Sequence, residues 1–325
     1  MREIRVRNVN YALPIGLNLL LLEGIRRPSR NGPVLEYPEA VATVYERPLE
    51  RVLFSPERDA NHYFHFFECL HMIAGRNDVA WLAQFNKKVV EYSDDGQVFH
   101  GAYGHRWRSL GMNQLEQIVE LLRSDPGTRR AVLQMWNCSC DLGKDSKDLP
   151  CNTHAYFKIR EGRLHMTVCC RSNDIIWGAY GANAVHFSFL LEYVAAMVGV
   201  PVGVYTQISD SFHMYEEVYE KLSGLSSLSV SPAHCLYTVG EVEPFPITPL
   251  NGFWNYGLKK LFKSPETFSG HRFFDEVVRP LYLSFIAYKS KDFTNALCWA
   301  KHCAAKDWGR AATEWLKRRP SYLDT

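Results

Sequence analysis

Between Tyr63 and Ile73, in "HYFHFFECLHMI", apolar residues recur at helical spacing and Gly75 follows as a stop, so a buried helix is expected. A second helix is predicted in "MNQLEQIVELLRSDPGTRR": Leu115, Ile118, Val119 and Leu122 share one face, and Asp125, Pro126 and Gly127 break the pattern. It delivers Arg129 and Arg130 to the next connection. "AVLQMWN" then reads as a strand. After Cys151, "HAYFKI" and "LHMTVCC" alternate in polarity, as two antiparallel strands joined at "REGR" would. "NAVHFSFLLEYVAAMVG" is almost wholly apolar at its centre, the mark of a buried helix, and Gly199 closes it. "VGVYTQISDSFHMY" returns to strand character. "GQVFHGAYGHRWR", aromatic and punctuated by glycine, predicts a loop with strand ends.

This order of helices and antiparallel strands predicts an α+β fold around a large mixed sheet. A catalytic domain is expected over residues 1–220. A mostly helical extension packed on the same domain is expected over 221–325, where a Pro-rich passage near "EVEPFPITPLNG" gives way to segments such as "FTNALCWAKHCAAKDWGRAATEWLKR".

Charge and composition narrow the function. With 37 basic and 35 acidic residues the net charge is +2, so there is no global field for nonspecific nucleic-acid binding, and an anionic ligand must be met locally. No membrane span is expected, because nothing approaches about 18 uncharged apolar residues. "MREIRVRNVNYALPIGLNLLLLEG" has the basic and apolar parts of a signal peptide but no small-residue cleavage site, so it reads as an amphipathic element before a basic loop. Nine cysteines without framework spacing point to a reducing compartment, the cytoplasm. Cys138 and Cys140 lack a second close Cys or His pair, so no metal is expected.

The candidate chemistry gathers at "DLPCNTHAYF". A cysteine taken alone is more often an inert buried thiol than a nucleophile, so the neighbours of Cys151 must decide. Arg171 follows the apolar strand "LHMTVCC", where a bare charge is costly without an anionic partner, and the planar guanidinium suits phosphate. Glu68 sits within "HFFECLHMI", and a carboxylate on an apolar helix rarely lacks a role.

The motifs "RR", "WN", "LPC", "RSND", "GAN" and "DSFHMY", in that order, with "SRNG", "FFECLHMIAG" and "GAYGHRW" upstream, resemble the thymidylate synthase superfamily from Arg30 to Tyr215. The phrasing "RSNDIIWGAYGANAVHFS" is most similar to its bacteriophage-type and biosynthetic pyrimidine nucleotide hydroxymethyltransferases. The resemblance implies that Cys151 adds to ring carbon 6 of a pyrimidine nucleoside monophosphate (dUMP, dCMP or CMP), with nearby arginines favouring the thiolate. It further implies 5,10-methylene-tetrahydrofolate as one-carbon donor. Arg30, Arg129, Arg130 and Arg171, with Ser172, correspond to phosphate ligands, the adjacent pair reaching across a homodimer. His213 and Tyr215 correspond to the ribose-binding pair, Asp174 to the pterin-binding aspartate and Tyr103 to the proton-transfer network. Glu68 corresponds to the glutamate that orders water, and Asn183 to the residue that reads the base.

Three departures shape the expected reaction. Thymidylate synthases usually read Pro-Cys-His, whereas Asn152 follows Cys151 here and brings no titratable group. "WGAYGANAV" is one residue longer than the family pattern, which leaves Ala182 as an alternative to Asn183. The chain ends "KRRPSYLDT" instead of in a short apolar lid, so water becomes the expected second reactant and a hydroxymethyl group the product. Uracil is favoured over cytosine, since an asparagine amide can accept from N3–H and donate to O4; a flipped amide would serve cytosine. The alternatives are reductive methylation by a true thymidylate synthase, and a non-catalytic nucleotide- or RNA-binding relative. The presence of both Cys151 and Glu68 argues against the latter.

Overall fold

The computed structural model describes residues 1–222, 225, 235–247, 253–267 and 269–319. The chain opens with β1 (Arg2–Val6) and α1 (Val9–Glu23), the latter capped by Asn8, which accepts the Asn10 N–H at 3.0 Å. β2 (Ile25–Arg27), β3 (Val34–Glu36) and β4 (Val41–Tyr45) follow. α2 (His62–Ile73) starts where the Asn61 side chain accepts the Phe64 N–H at 3.0 Å. It stops before Gly75, whose φ of +76° suits a residue without Cβ. α3 (Val79–Ala83), α4 (Tyr103–Ser109) and α5 (Gln114–Ser124) lead to β5 (Val132–Gln134). α6 (Cys138–Asp141) precedes the hairpin of β6 (Asn152–Arg160) and β7 (Arg163–Asp174). A π-helical turn, Ile175–Ala182, runs into α7 (Asn183–Val198), then β8 (Val202–Tyr215) and α8 (Glu216–Lys221).

The strands form one mixed sheet in the order β1-β4-β8-β7-β6-β5, with β3 also paired to β8 and β2 to β3. Glu161 and Gly162 turn the β6–β7 hairpin at φ of +52° and +69°, the positive pair that a two-residue type I′ loop requires. β7 and β8 run parallel, and α7 is the crossover between them. Leu164, Met166, Val168 and Cys170 of β7 and Tyr205 of β8 are buried on the inner face. α7 lies there, covered on its other side by α2 and α5, so Phe187, Leu190, Leu191 and Val194 are fully excluded from water. Burial all round explains a helix without a polar stripe.

The run Ile175–Val198, kinked at Gly181, has mean hydropathy 1.2 and is long and apolar enough to cross a bilayer by length and composition, contrary to the sequence expectation. It is 78% buried within the protein. Its apolar sides are taken up by the sheet and by neighbouring helices.

Two further expectations change. "GAYGHRWRS" contains the helix α4, not a loop: Gly104 serves a close helix crossing rather than a turn, since a Cβ there would stand 2.0 Å from the Met72 carbonyl oxygen. "AVLQMWN" supplies a strand of only three residues, Val132–Gln134.

Beyond α8 the described residues include α9 (Phe253–Lys263), α10 (Arg279–Lys289) continuing a π-turn at Phe274–Val278, α11 (Phe293–His302) and α12 (Lys306–Lys317). α10 and α12 pack on α2, and α11 packs on those two. Tyr63 bonds Ser284 at 2.6 Å, Phe66 meets the Trp308 ring at 5.0 Å, and Arg319 pairs with Asp59 at 2.6 Å. Each such aromatic contributes roughly 1.5–3 kcal/mol by burial. One side of α2 is thereby fixed, and its Glu68 side is left to a cleft. Residues 248–252 and 320–325, including most of the "KRRPSYLDT" ending on which the missing-lid expectation rests, lie outside the described residues.

Candidate active site

Cys151 immediately precedes β6, beside the C-terminal ends of β7 and β8. The carbonyl of Cys151 accepts the Arg171 backbone N–H at 2.9 Å. The Arg171 guanidinium turns back to donate to the carbonyls of Pro150 at 3.0 Å and Leu149 at 3.3 Å. Arg171 is therefore tied to the loop that presents the thiol. Arg30 enters from the β2–β3 connection, its nearest acceptor being the Ser146 carbonyl at 3.4 Å.

Burial raises the Cys151 thiol above its ordinary pKa; Arg171 and Arg30 oppose the rise and Asp148 adds to it. The arginines do favour the thiolate, as expected, but burial outweighs them. Desolvation is the larger effect.

Tyr103, at the first turn of α4, places its hydroxyl oxygen where three donors converge: the N–H groups of Cys151 and Asn152 at 3.1 Å each, and the Asn152 side-chain amide at 3.0 Å. The completely buried Asn152 amide also donates to Asn183 at 3.1 Å, and its oxygen accepts from Gln207 at 3.0 Å. Asn183 donates to Asn173 at 3.0 Å, and Asn173 to Ser209 at 2.8 Å. A neutral chain of carboxamides thus runs from Tyr103, beside Cys151, to β8. The π-turn Ile175–Ala182 precedes Asn183, which joins this chain, and leaves Ala182 on the cleft wall.

A cleft of about 380 Å³ joins these groups to α2. Glu68, Tyr103 and Cys151 all line it. The Glu68 carboxylate is partly exposed, at 22%, and lies 3.0 Å from Nε2 of the buried His186 on α7. Trp177, 48% exposed, forms another wall over the guanidinium of Arg58, 3.9 Å from its ring centroid. Burial lowers the Arg58 pKa to about 10, against the opposing pull of Asp174 and Asp59, and its Nε donates to the Ile176 carbonyl at 2.8 Å.

The remaining candidates fall into two groups. Ser172, Asp174, His213 and Tyr215 cluster where β7 and β8 end, with Ser172 opposite Ser211 and Asp174 opposite His213. Asp174 accepts the N–H groups of Ile176 at 3.0 Å and Trp177 at 2.6 Å, capping the π-turn, and that of Tyr215 at 3.3 Å. Burial holds its carboxyl above the usual range, against these bonds and His213. His213 Nδ1 contacts the Ser211 hydroxyl at 3.0 Å. Arg129 and Arg130 are not brought to Cys151: both are exposed in the α5–β5 connection, and Arg130 faces Asp125 at 3.8 Å.

Residues not singled out from the sequence include Arg58, Trp177, Asn173, Gln207 and His186. Asn173 lies within "RSND" and was available to that motif. Trp177 and His186 lie within "RSNDIIWGAYGANAVHFS", Gln207 in a segment that reads only as strand, and Arg58 in the turn before α2. His100, Cys140 and Asp141 also gather within 4.8 Å, but Arg106 donates to both oxygens of Asp141 and Lys144 lies 3.1 Å from His100 Nδ1. The resident cations already neutralise that cluster.

Residues 58–234 match the family model described as Thymidylate synthase. The chain belongs to the thymidylate synthase family. It is 48% identical over 333 aligned residues, 98% of this chain and 95% of the relative, to a deoxyuridylate hydroxymethyltransferase of Pseudomonas phage M6. A deoxyuridylate hydroxymethyltransferase of Bacillus phage SP01 is 40% identical over 187 residues, 54% of this chain and 49% of that protein. A putative thymidylate synthase of Methanosarcina acetivorans is 29% identical over 231 residues, 69% and 94% respectively. The family match encloses Glu68, Tyr103, Cys151 and Asn183, whereas Arg30 and helices α9 to α12 lie outside it. The alignment with the M6 protein extends across those helices.

Proposed function

We propose that this chain, a thymidylate synthase family one-carbon transferase, catalyses 5-hydroxymethylation of a pyrimidine nucleoside 5′-monophosphate, dUMP before dCMP or CMP. The observation that carries the reading is the convergence of Cys151, Tyr103 and Glu68 on one cleft, beside a neutral asparagine chain that includes Asn183. The names of the two phage relatives support uracil.

The Cys151 thiolate adds to ring carbon 6, leaving carbon 5 enolate-like and nucleophilic. 5,10-Methylene-tetrahydrofolate supplies one carbon at the oxidation level of formaldehyde when bound. The half-exposed Trp177 face over Arg58 fits a flat heteroaromatic ring, and Asp174 retains lone-pair capacity for the pterin beyond its three backbone donors. Glu68 takes a proton from the water that adds to the exocyclic methylene, and the sulfur–carbon 6 bond breaks as the ring double bond returns. The sum is dUMP, methylene-tetrahydrofolate and water giving 5-hydroxymethyl-dUMP and tetrahydrofolate, with no net redox change.

In this reading Arg30, Arg171 and Ser172 hold the phosphate, and His213 and Tyr215 the ribose. Arg129 and Arg130 act from a second copy. The outer face of the sheet, with exposed Val132 and Tyr156 and half-buried Thr206 and Ile208, supports a homodimer. All nine cysteines are free, which supports a cytoplasmic site of action. The packing of α10 and α12 on α2 supports a helical extension over 221–325 on a catalytic domain of 1–220.

Mass spectrometry of products from dUMP, dCMP and CMP, each with methylene-tetrahydrofolate, tests the reading. Gain of one CH2O unit on dUMP is expected. Gain of one CH2 unit with dihydrofolate would instead identify reductive methylation.

A further inference from the structure

We propose that His186 is a positioning residue for Glu68, holding that carboxylate toward the cleft for the water step; this rests on the function proposed above. His186 Nε2 is buried and 3.0 Å from Glu68 Oε2, yet out of hydrogen-bond alignment, and it has no other hydrogen-bond partner among the described residues. A buried imidazole nitrogen without a partner is costly unless it has work to do, and the carboxylate within reach is the one that lines the cleft with Cys151.

The placement is built by two packed helices. On α7, His186 lies one turn beyond Asn183, so one helix face carries both the asparagine of the amide chain and the imidazole. On α2, His65 lies one turn before Glu68, its ring edge-on to His186 at 6.4 Å. The Asn152 amide, spent on Tyr103, Asn183 and Gln207, is not a substitute partner for Glu68. With its proton on Nε2, His186 donates to Oε2 after a small turn of the carboxylate. Oε1 is then left for the water that Glu68 deprotonates.

The test uses the full-length enzyme with dUMP tritiated at carbon 5 and methylene-tetrahydrofolate, following tritium release, hydroxymethyl product and thermal melting. His186→Leu is expected to lower kcat for product about 10- to 100-fold and to leave KM for dUMP within about twofold, since it touches no proposed nucleotide ligand. His186→Gln, which returns an N–H near the lost one, is expected to recover most of the rate. In a Glu68→Gln background His186→Leu should add little further loss, because a residue acting through the carboxylate has nothing left to position. If the leucine variant does not fold, His186→Met replaces it.

A leucine variant at the parental rate, equal impairment of the leucine and glutamine variants, or full multiplication of loss in the double variant would each overturn the assignment to His186 alone. Absence of tritium release and product from the parent enzyme would overturn the functional reading and this inference together.

Discussion

The hydroxyl oxygen of Tyr103 receives the side-chain amide of Asn152 at 3.0 Å, and with it the backbone N–H groups on both sides of the Cys151–Asn152 peptide. One phenol oxygen therefore fixes the nucleophile's backbone and orients the first amide of the chain leading to Asn183. Tyr103→Phe strands three donors in a half-buried site. It should lose about 1–3 kcal/mol of stability in denaturant unfolding and slow turnover as well. A variant as stable as the parent would mean that water takes over the oxygen's role.

Cys151→Ser should abolish turnover and leave nucleotide binding nearly intact, because a hydroxyl is far less ionised than a thiol while the arginines proposed to hold the phosphate remain. Burial raises the Cys151 pKa and Arg171 lowers it. The alkylation rate of Cys151 should therefore have its midpoint above the ordinary thiol range, and Arg171→Ala should move it higher still. A midpoint that falls in Arg171→Ala would show that the guanidinium does not stabilise the thiolate.

Much of this arrangement was legible in the sequence because it is local. The helix face of Leu115, Ile118, Val119 and Leu122, the hairpin at Glu161–Gly162 and the closure at Gly199 each follow from spacing or from a residue that tolerates positive φ. Gly104 misled because a glycine needed where a Cβ would stand 2.0 Å from the Met72 carbonyl oxygen looks in sequence like one needed for a turn. The site was legible as ordered motifs, but its wiring was not. The Asn152–Gln207 bond spans 55 residues, and the His186–Glu68 pair joins two helices that each read as apolar core. The thiol's net shift is illegible for a related reason: arginines can be counted in a sequence, whereas the desolvation that outweighs them cannot.

Arg129→Ala and Cys151→Ser, each inactive alone, should recover activity when mixed under conditions that exchange subunits. Arg129 is exposed on its own chain, and in the proposed dimer it completes the partner's phosphate site. One of the two sites in a hybrid would then hold every group. No recovery despite proven exchange would mean that Arg129 serves its own chain.

The α12 attachment carries a pH signature. Burial raises Asp307 from 3.8 to about 6, with its bond from the Tyr237 hydroxyl at 2.9 Å opposing the rise. Because the folded pKa lies above the unfolded one, the group imposes no penalty below pH 4. The penalty grows between pH 4 and 6 and is complete above, on the order of 3 kcal/mol at about 1.4 kcal/mol per pKa unit. Asp307→Asn keeps an oxygen for Tyr237 and removes the charge. Its Tm should match the parent at pH 4 and exceed it at pH 7; a constant offset across that range would place the titration elsewhere.

Glu68→Gln should slow release of hydroxymethylated product more than it slows addition of Cys151 to the ring. In the proposed reaction Glu68 is the group that takes the proton from water, and the amide keeps its shape without its basicity. A positioned general base is worth about a hundredfold to ten-thousandfold, whereas thiolate addition depends on Cys151 and on the base held by the Asn183 chain. The covalent adduct should therefore accumulate, visible by rapid quenching and intact-protein mass spectrometry as a larger adduct fraction than in the parent. The His186 contact sharpens the expectation, since glutamine can present its oxygen to Nε2 at the position where Glu68 Oε2 lies 3.0 Å away. The variant then retains the carboxylate's place and loses only its proton affinity. Normal product formation without excess adduct would make Glu68 a structural acid and remove the water step from its charge.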